Sequence, residues 1–583
     1  MTTIFNLNEF TAPRFLISAT FGRMPVVLAV DPLFPPFRRI LDGMAERAVA
    51  KGRARWIIDL CPELQHLWDY PTRTFLYDVF GQTEDWHNAY YEFDRADTVV
   101  PDYAMTYKKA TCNHAKPRHY HTLLLGAALA AKKRGKVRVV GLAGDFVGLM
   151  NAYWSGSLTP ALKTMWVPRR TINALVTLLI QIFALAWVVS RTQPIISKPK
   201  DYFFGADYCE DQRDHRLYHE VADGGPLLLV YRHPKSMYRP PQDDLSPYEF
   251  QDSRAGRFGP MQAVAAMAMV IRDGAGLFRH FAGSQPALYF RIATLPFRRA
   301  VLRAFFNQFR PKFFWGRDDY NEDHVLRHQE LRRVGGVSMG ICHGYPAYAY
   351  LFPQWRYISF DRYYVHGQAV YEREMKKSWP DNMKVVAVGS FGATRSDYAL
   401  RHAPKPNDIV VYSAVFVGNP KMVDFVRGLA EAFPERKVLL QIKHNFIDTP
   451  VGKAFARDCM ESLSNIELVT APLFDLTRQA RYAFSDPSTV IVEALQFGQY
   501  AFFADLMAEQ KKSVYREYPA ICVGSAEDAA TRIHAIEAGE KTYPLEALSD
   551  LVDLSGRVLF DVIREEMKLP LQLTQDDLEV VHG

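Results

Sequence analysis

Short apolar runs separated by helical patterns constrain this chain more than any other feature. Runs at 26–30, 56–59, 137–141, 227–231, 312–315 and 337–341 form a first series. Runs at 363–365, 385–388, 409–413, 438–442, 466–469, 482–484 and 501–504 form a second. Each run is strand-sized, and helical patterns such as 422–432 and 488–497 lie between them. Strands that alternate with helices imply parallel sheets joined by right-handed crossovers. The expected class is therefore α/β. A chain of 583 residues exceeds a single core, and the two series place a boundary near 370–395. The expected organisation is 1–375, 376–545 and a tail, 546–583, that crosses back as a helix.

Composition excludes several classes. An apolar fraction of 48% and a charged fraction of 23% are those of a folded globular chain. A net charge of +6 over this length is too mild to indicate nucleic acid. The six cysteines are scattered without a CxxC pair, so neither a zinc site nor a disulfide framework is expected. The start, Met-Thr-Thr-Ile-Phe-Asn-Leu-Asn-Glu, lacks a basic region followed by an apolar core, which argues against a secretory signal.

One segment departs from a soluble pattern. Residues 171–189, within a hydrophobic insertion spanning 155–195, carry no charge. As a helix they extend about 28 Å, close to the thickness of a hydrocarbon core. Arg169 and Arg170 precede them; Arg191, Lys198 and Lys200 follow, so charge sets no orientation. A helix that dips into or lies on a membrane is expected, with a buried soluble helix and a true span as the alternatives. Trp154, Trp166 and Trp187 lie nearby in sequence as candidate interface anchors.

Five stretches can carry chemistry. Ser485-Asp-Pro-Ser-Thr-Val-Ile-Val-Glu-Ala-Leu-Gln-Phe-Gly498 reads as a strand end, a polar loop and a short helix closed by glycine. Ser488 and Thr489 are good N-cap residues, and a helix start can hold a phosphate. Glu493, one turn on, shares the face of Thr489. Leu440-Gln-Ile-Lys-His-Asn445 ends a strand with two donors, Lys443 and His444, suited to phosphate. Gly340-Ile-Cys-His-Gly-Tyr345 places His343 at a strand end, where it can donate to phosphate or titrate near neutrality. In Val388-Gly-Ser-Phe-Gly392, Gly389 and Ser390 allow close backbone approach to phosphate. Trp315-Gly-Arg-Asp-Asp-Tyr320 offers Asp318 and Asp319 as candidate general bases. Each is also compatible with ordinary caps and loops. Gly141-Leu-Ala-Gly-Asp145 imitates a dinucleotide loop, but its glycine spacing is wrong.

The order of these motifs, with Phe360-Asp-Arg-Tyr-Tyr-Val-His-Gly367 after the first His-Gly, resembles GT-B glycosyltransferases of bacterial surface and capsule polysaccharide synthesis. It is similar to the group around sialyl-, Kdo- and CDP-glycerol transferases, over roughly residues 200–510. The resemblance implies two Rossmann-like domains facing a cleft, an acceptor side in 1–375 and a nucleotide-donor side in 376–545. It implies transfer of a sugar from a CMP- or other NDP-sugar to a surface glycan or lipid-linked acceptor. The alternatives are polyol-phosphate transfer from a CDP-alditol and a non-catalytic assembly partner. Lys443, His444, Ser488, Thr489, Gly389 and Ser390 are expected to hold donor phosphate and Glu493 the nucleotide sugar. Asp319, Asp318 or His343 is expected to act as base, without metal or cofactor beyond the donor. The implied location is the cytoplasmic face of a membrane, with the membrane surface as a partner. Two departures stand out: Asn445 where the family has proline, and Pro487 where it has a small residue.

Overall fold

The computed structural model describes residues 2–60, 85–131, 137–154, 162–195, 198–209, 211–231, 245–317, 319–342, 344, 353–373, 375–414, 416–506 and 513–570. The described strands form three sheets, and every pairing within them is parallel.

The first sheet holds β1 (Thr2–Leu7), β2 (Val26–Val30), β3 (Arg55–Trp56) and β4 (Val137–Val140), in the order β3-β2-β1-β4. The second holds β5 (Lys200–Asp207), β6 (Leu227–Tyr231), β7 (Tyr248–Asp252), β8 (Phe309–Gly316), β9 (Val337–Ile341), β10 (Arg362–Val365) and β11 (Lys384–Ala387). Their order is β11-β10-β9-β8-β5-β6-β7. The third holds β12 (Ile409–Ser413), β13 (Val438–Ile442), β14 (Ile466–Val469), β15 (Tyr482–Ser485), β16 (Tyr500–Ala504) and β17 (Cys522–Val523), in the order β14-β13-β12-β15-β16-β17. Ranked by position in each sheet, all three follow one winding scheme. The first strand is central, the second and third lie to one side, and the fourth onward lie to the other. That is the doubly wound order, with a switch point between the first and fourth strands.

The architecture is thus α/β with two large Rossmann-like sheets, the GT-B-like pair expected, and a smaller third sheet ahead of them. Central strands such as β6 and β12 are buried along their whole length, which is why they read as unbroken apolar runs. Two details differ from the sequence reading. The runs at 363–365 and 385–388 belong to the earlier of the large sheets, because β10 registers on β9 and β11 on β10. The span 1–375 contains two sheets, since β1 to β4 pair only with one another.

The uncharged segment forms the helix Arg169–Ser190 and lies antiparallel to a second long apolar helix, Pro260–Phe281. Asn173 donates to the carbonyls of Ala282 and Ser284 at one end, and the 192–258 bridge closes the other. The three tryptophans do not cluster. Trp154 covers Gly126, Trp187 packs edge-on against Phe258 and Phe297, and Trp166 is exposed. The helix Leu559–Met567 returns to the seven-stranded sheet, burying Leu559, Phe560, Val562 and Ile563 there. Arg564 of this helix pairs with Asp223, and Glu566 with Arg362 and Lys384.

Candidate active site

In a doubly wound sheet the ligand crevice opens at the carboxyl ends of the strands beside the switch point. In the six-stranded sheet this lies between β12 and β15, where Ser485-Asp-Pro-Ser-Thr489 leaves β15. Asp486 is fully buried there and accepts hydrogen bonds from the amides of Ala414 and Phe416, both at 2.8 Å. It ties the two switch-point loops together and satisfies amides that face the crevice. Ser488 and Thr489 follow, both half-buried, and the Tyr515 hydroxyl donates to the Ser488 carbonyl at 2.7 Å.

The helix Val490–Gln496 starts at Thr489, but no N-cap side-chain bond is made. Thr489 has helical dihedrals, and Ser488 Oγ is 3.5 Å from the Val490 amide. At the other end Gly498 is left-handed at φ +75°, its amide bonded to the Leu495 carbonyl and that of Gln499 to Ala494. This is the Schellman pattern read from the glycine. A Cβ on Gly498 would stand 2.3 Å from the Arg401 carbonyl.

Lys443 and His444 leave β13, one strand beyond β12, about 10 Å from the β15 loop by strand spacing. The Lys443 amide donates to the Ser413 carbonyl at 2.9 Å. His444, exposed, opens a single helical turn, His444–Ile447. Asn445 continues that turn.

The seven-stranded sheet faces this edge with its own switch point, between β5 and β8. Asp207 of β5 pairs with Arg327 at 3.1 Å. Beyond β8, Arg317 bonds Asp214 at 2.6 Å and Asp211 at 3.3 Å, and its guanidinium lies 4.8 Å from the Phe391 ring centroid. Arg213 also holds Asp211, at 2.7 Å, and lies 5.8 Å from the same ring. Burial alone would raise the Asp211 carboxyl, but the hydrogen bonds and charge of Arg213 hold it well below the carboxylate range.

Two contacts join these edges. A Cβ on Gly344, at the end of β9, would stand 3.1 Å from the Thr489 hydroxyl. Gly344 and the Ser-Thr helix start, about 140 residues apart in sequence, therefore approach each other. Glu493, half-buried, lies within electrostatic reach of Arg213. Partial burial raises its carboxyl above the ordinary range, and Arg213 offsets only part of that. His366, buried at the end of β10, is held down to about 4 by burial and by Arg213, so it is neutral at physiological pH.

The remaining expected residues lie elsewhere. Asp319 is fully buried, and its carboxylate accepts from the Tyr363 hydroxyl at 2.9 Å and the Trp355 indole at 3.3 Å. Its backbone carbonyl accepts from the buried Lys109. Asp318 and His343 lie outside the described residues. Gly389 and Ser390 sit behind the helix Val490–Gln496, where Ser390 Oγ donates to Gln496 at 2.6 Å and a Cβ on Gly389 would strike the Tyr398 hydroxyl. Asp145 occupies the switch point of the four-stranded sheet, but Arg118 (3.1 Å), His114 (3.5 Å) and Tyr91 (3.1 Å) fill that crevice. Among the described residues no cluster of metal-ligating side chains occurs. Sequence reasoning missed Arg213, which stands in a stretch without a glycine or strand-end signature, and passed over Arg317, which follows Gly316 at the end of β8 within a stretch read only for its carboxylates.

No family model matches the chain, and no curated sequence matches it. The solved structures to which it is similar include the wall teichoic acid polymerase TagF soaked with CDPG, at 12% identity, covering 69% of this chain and 99% of that one with a TM-score of 0.37. UDP-GlcNAc 2-epimerase from Neisseria meningitidis bound to UDP-GlcNAc is similar at 11% identity, covering 63% and 99%, with a TM-score of 0.37. A calicheamicin glycosyltransferase is similar at 13% identity, covering 64% and 98%, with a TM-score of 0.36.

Proposed function

We propose that this chain is a glycosyltransferase that moves a sugar from a CMP- or other NDP-activated donor to a growing surface glycan or a lipid-linked acceptor. The work would be done on the cytoplasmic face of a membrane. The observation that supports the reading is the approach of Thr489 to Gly344, residues of two stretches recognised separately in the sequence. The donor phosphates would lie between Lys443–His444 and the helix start at Ser488 and Thr489. Glu493 would accept from the donor's ribose hydroxyls, with Arg213 favouring its charged form against the effect of burial.

In the transfer, the acceptor oxygen bonds the sugar's anomeric carbon as the carbon–oxygen bond to phosphate breaks. The acceptor proton passes to the base, and charge gathers on the departing nucleotide phosphate. Lys443 and His444 would stabilise that charge, so the proposal includes a metal-independent reaction. His343, next to Gly344 in sequence, would act as the base. Asp319, enclosed by Tyr363 and Trp355, would act by positioning the wall of the cleft. Gly389 and Ser390 would set the seam between the sheets rather than touch phosphate.

A panel of CMP, CDP, UDP and GDP read by thermal shift tests the proposal. A selective response is expected, and replacing both Ser488 and Thr489 by Ala should abolish it. Indifference to every nucleotide, or an unchanged response in the double variant, would overturn it. Product analysis with CMP-sugar against CDP-glycerol then separates sugar transfer from polyol-phosphate transfer.

A further inference from the structure

The two long apolar helices expose their hydrophobic sides. Along Arg169–Ser190 the inner face holds Asn173, Val176, Ala184 and Val188. The outer face, at helical spacing, is Leu175, Leu178, Leu179, Ile182, Phe183 and Val189, each 54% to 60% exposed. Beside it Pro260–Phe281 exposes Met261 at 80%, Val264 at 56% and Ile271 at 48%. A water-facing stripe of this size on a packed helix pair marks an interaction surface. Each helix is held along its inner face by the other and by the helices 286–293 and 295–308.

Basic groups bracket the stripe. At one end Arg95, Arg169, Arg170, Arg279 and His280 line a cavity of about 670 Å³, whose one lining carboxylate, Glu92, is paired with Arg95. At the other end Arg191 lies within reach of Arg254 and Arg257, with Asp252 the acidic neighbour. Trp166 (84% exposed) and Ile195 (85% exposed) project just before and just after the first helix. An apolar stripe with cationic ends matches the cross-section of an anionic leaflet, with acyl chains below and phosphates at the rim. A second copy of the chain would have to set these like charges against each other.

We propose that the helix pair Arg169–Ser190 and Pro260–Phe281 lies in the plane of an anionic bilayer, with the arginine-lined cavity receiving a phospholipid phosphate. The inference rests on the membrane location proposed above, but the surface shares no residue with the nucleotide site, so vesicle binding can fail while nucleotide binding holds.

The test is co-sedimentation of the full chain with phosphatidylcholine vesicles, with and without phosphatidylglycerol. Binding is expected only with phosphatidylglycerol, and it should weaken at high salt. Leu179→Glu with Ile182→Glu, both exposed, should lower binding by roughly tenfold or more while circular dichroism stays unchanged. Arg170→Glu with Arg279→Glu should remove the preference for phosphatidylglycerol. Absence of wild-type binding, equal binding to both vesicles, or full binding by either variant pair would overturn the proposal. So would light scattering that shows a dimer broken by the Leu179–Ile182 pair without vesicle binding by the wild type.

Discussion

Replacing Gln496 by Met tests whether the seam beneath the cleft is held by polar bonds. The swap keeps the side chain's size and its helix propensity, so it removes hydrogen bonds with little change in packing. Gln496 is buried and makes three short bonds, accepting from Ser390 Oγ at 2.6 Å and donating to the carbonyls of Val388 at 3.2 Å and Asp553 at 3.1 Å, beside a longer one from the Tyr398 hydroxyl at 3.5 Å. These join the helix Val490–Gln496 to the end of β11 and to the returning C-terminal segment. At about 1 kcal/mol net for each bond, with the orphaned groups held out of water, the loss should be about 3 kcal/mol. Urea unfolding followed by fluorescence reads it as a lower midpoint at an unchanged slope. Ser390→Ala removes one bond, so the double variant should show coupling of about 1 kcal/mol with Gln496→Met. A loss below about 1 kcal/mol, or strictly additive variants, would refute the reasoning. Thr489 and Glu493 ride on the same helix, so nucleotide-induced stabilisation should fall in the Met variant as well.

Further outcomes follow from the same geometry. Gly498→Ala combines a left-handed backbone with a Cβ 2.3 Å from a carbonyl, and should cost about 2 kcal/mol or more in unfolding. Glu493 has its folded-state carboxyl raised, so wild-type stability is greatest below the carboxylate range and declines as pH rises through the raised value. Glu493→Gln should therefore be more stable than wild type at neutral pH, and the advantage should vanish near pH 4, as paired denaturation curves would show. His114 and His119 are held down to about 4 and about 3, burial being the first cause in both. Both are neutral in the fold, so protonation of the unfolded chain should withdraw roughly 2 kcal/mol per histidine by pH 5. Replacing either by Gln should flatten the decline between pH 6.5 and 5.

The sequence by itself determined the elements whose signal is local. Strands buried on both faces show as apolar runs wherever they sit, so β6, β9, β12, β13 and β16 were legible. Gly498 was legible as a helix stop, because only glycine takes that backbone angle cheaply. The uncharged 171–189 stretch was legible as a helix by length and composition. β5 was not, because it opens on Lys200 and Asp201 and carries Gly205, although it is the central strand of its sheet. Its identity as a strand comes from pairing with β8 and β6. β10 and β11 were legible as strands but not as members of the earlier sheet, since register is a contact between distant segments.

The tertiary structure alone decided what faces what. It set Thr489 against Gly344 and Glu493 toward Arg213, and it enclosed Asp319 between Tyr363 and Trp355. It turned Ser390 onto Gln496, and turned the apolar face of Arg169–Ser190 outward. Periodicity reports which residues share a face; which face meets solvent, a partner strand or a cleft depends on elements brought together from hundreds of residues away.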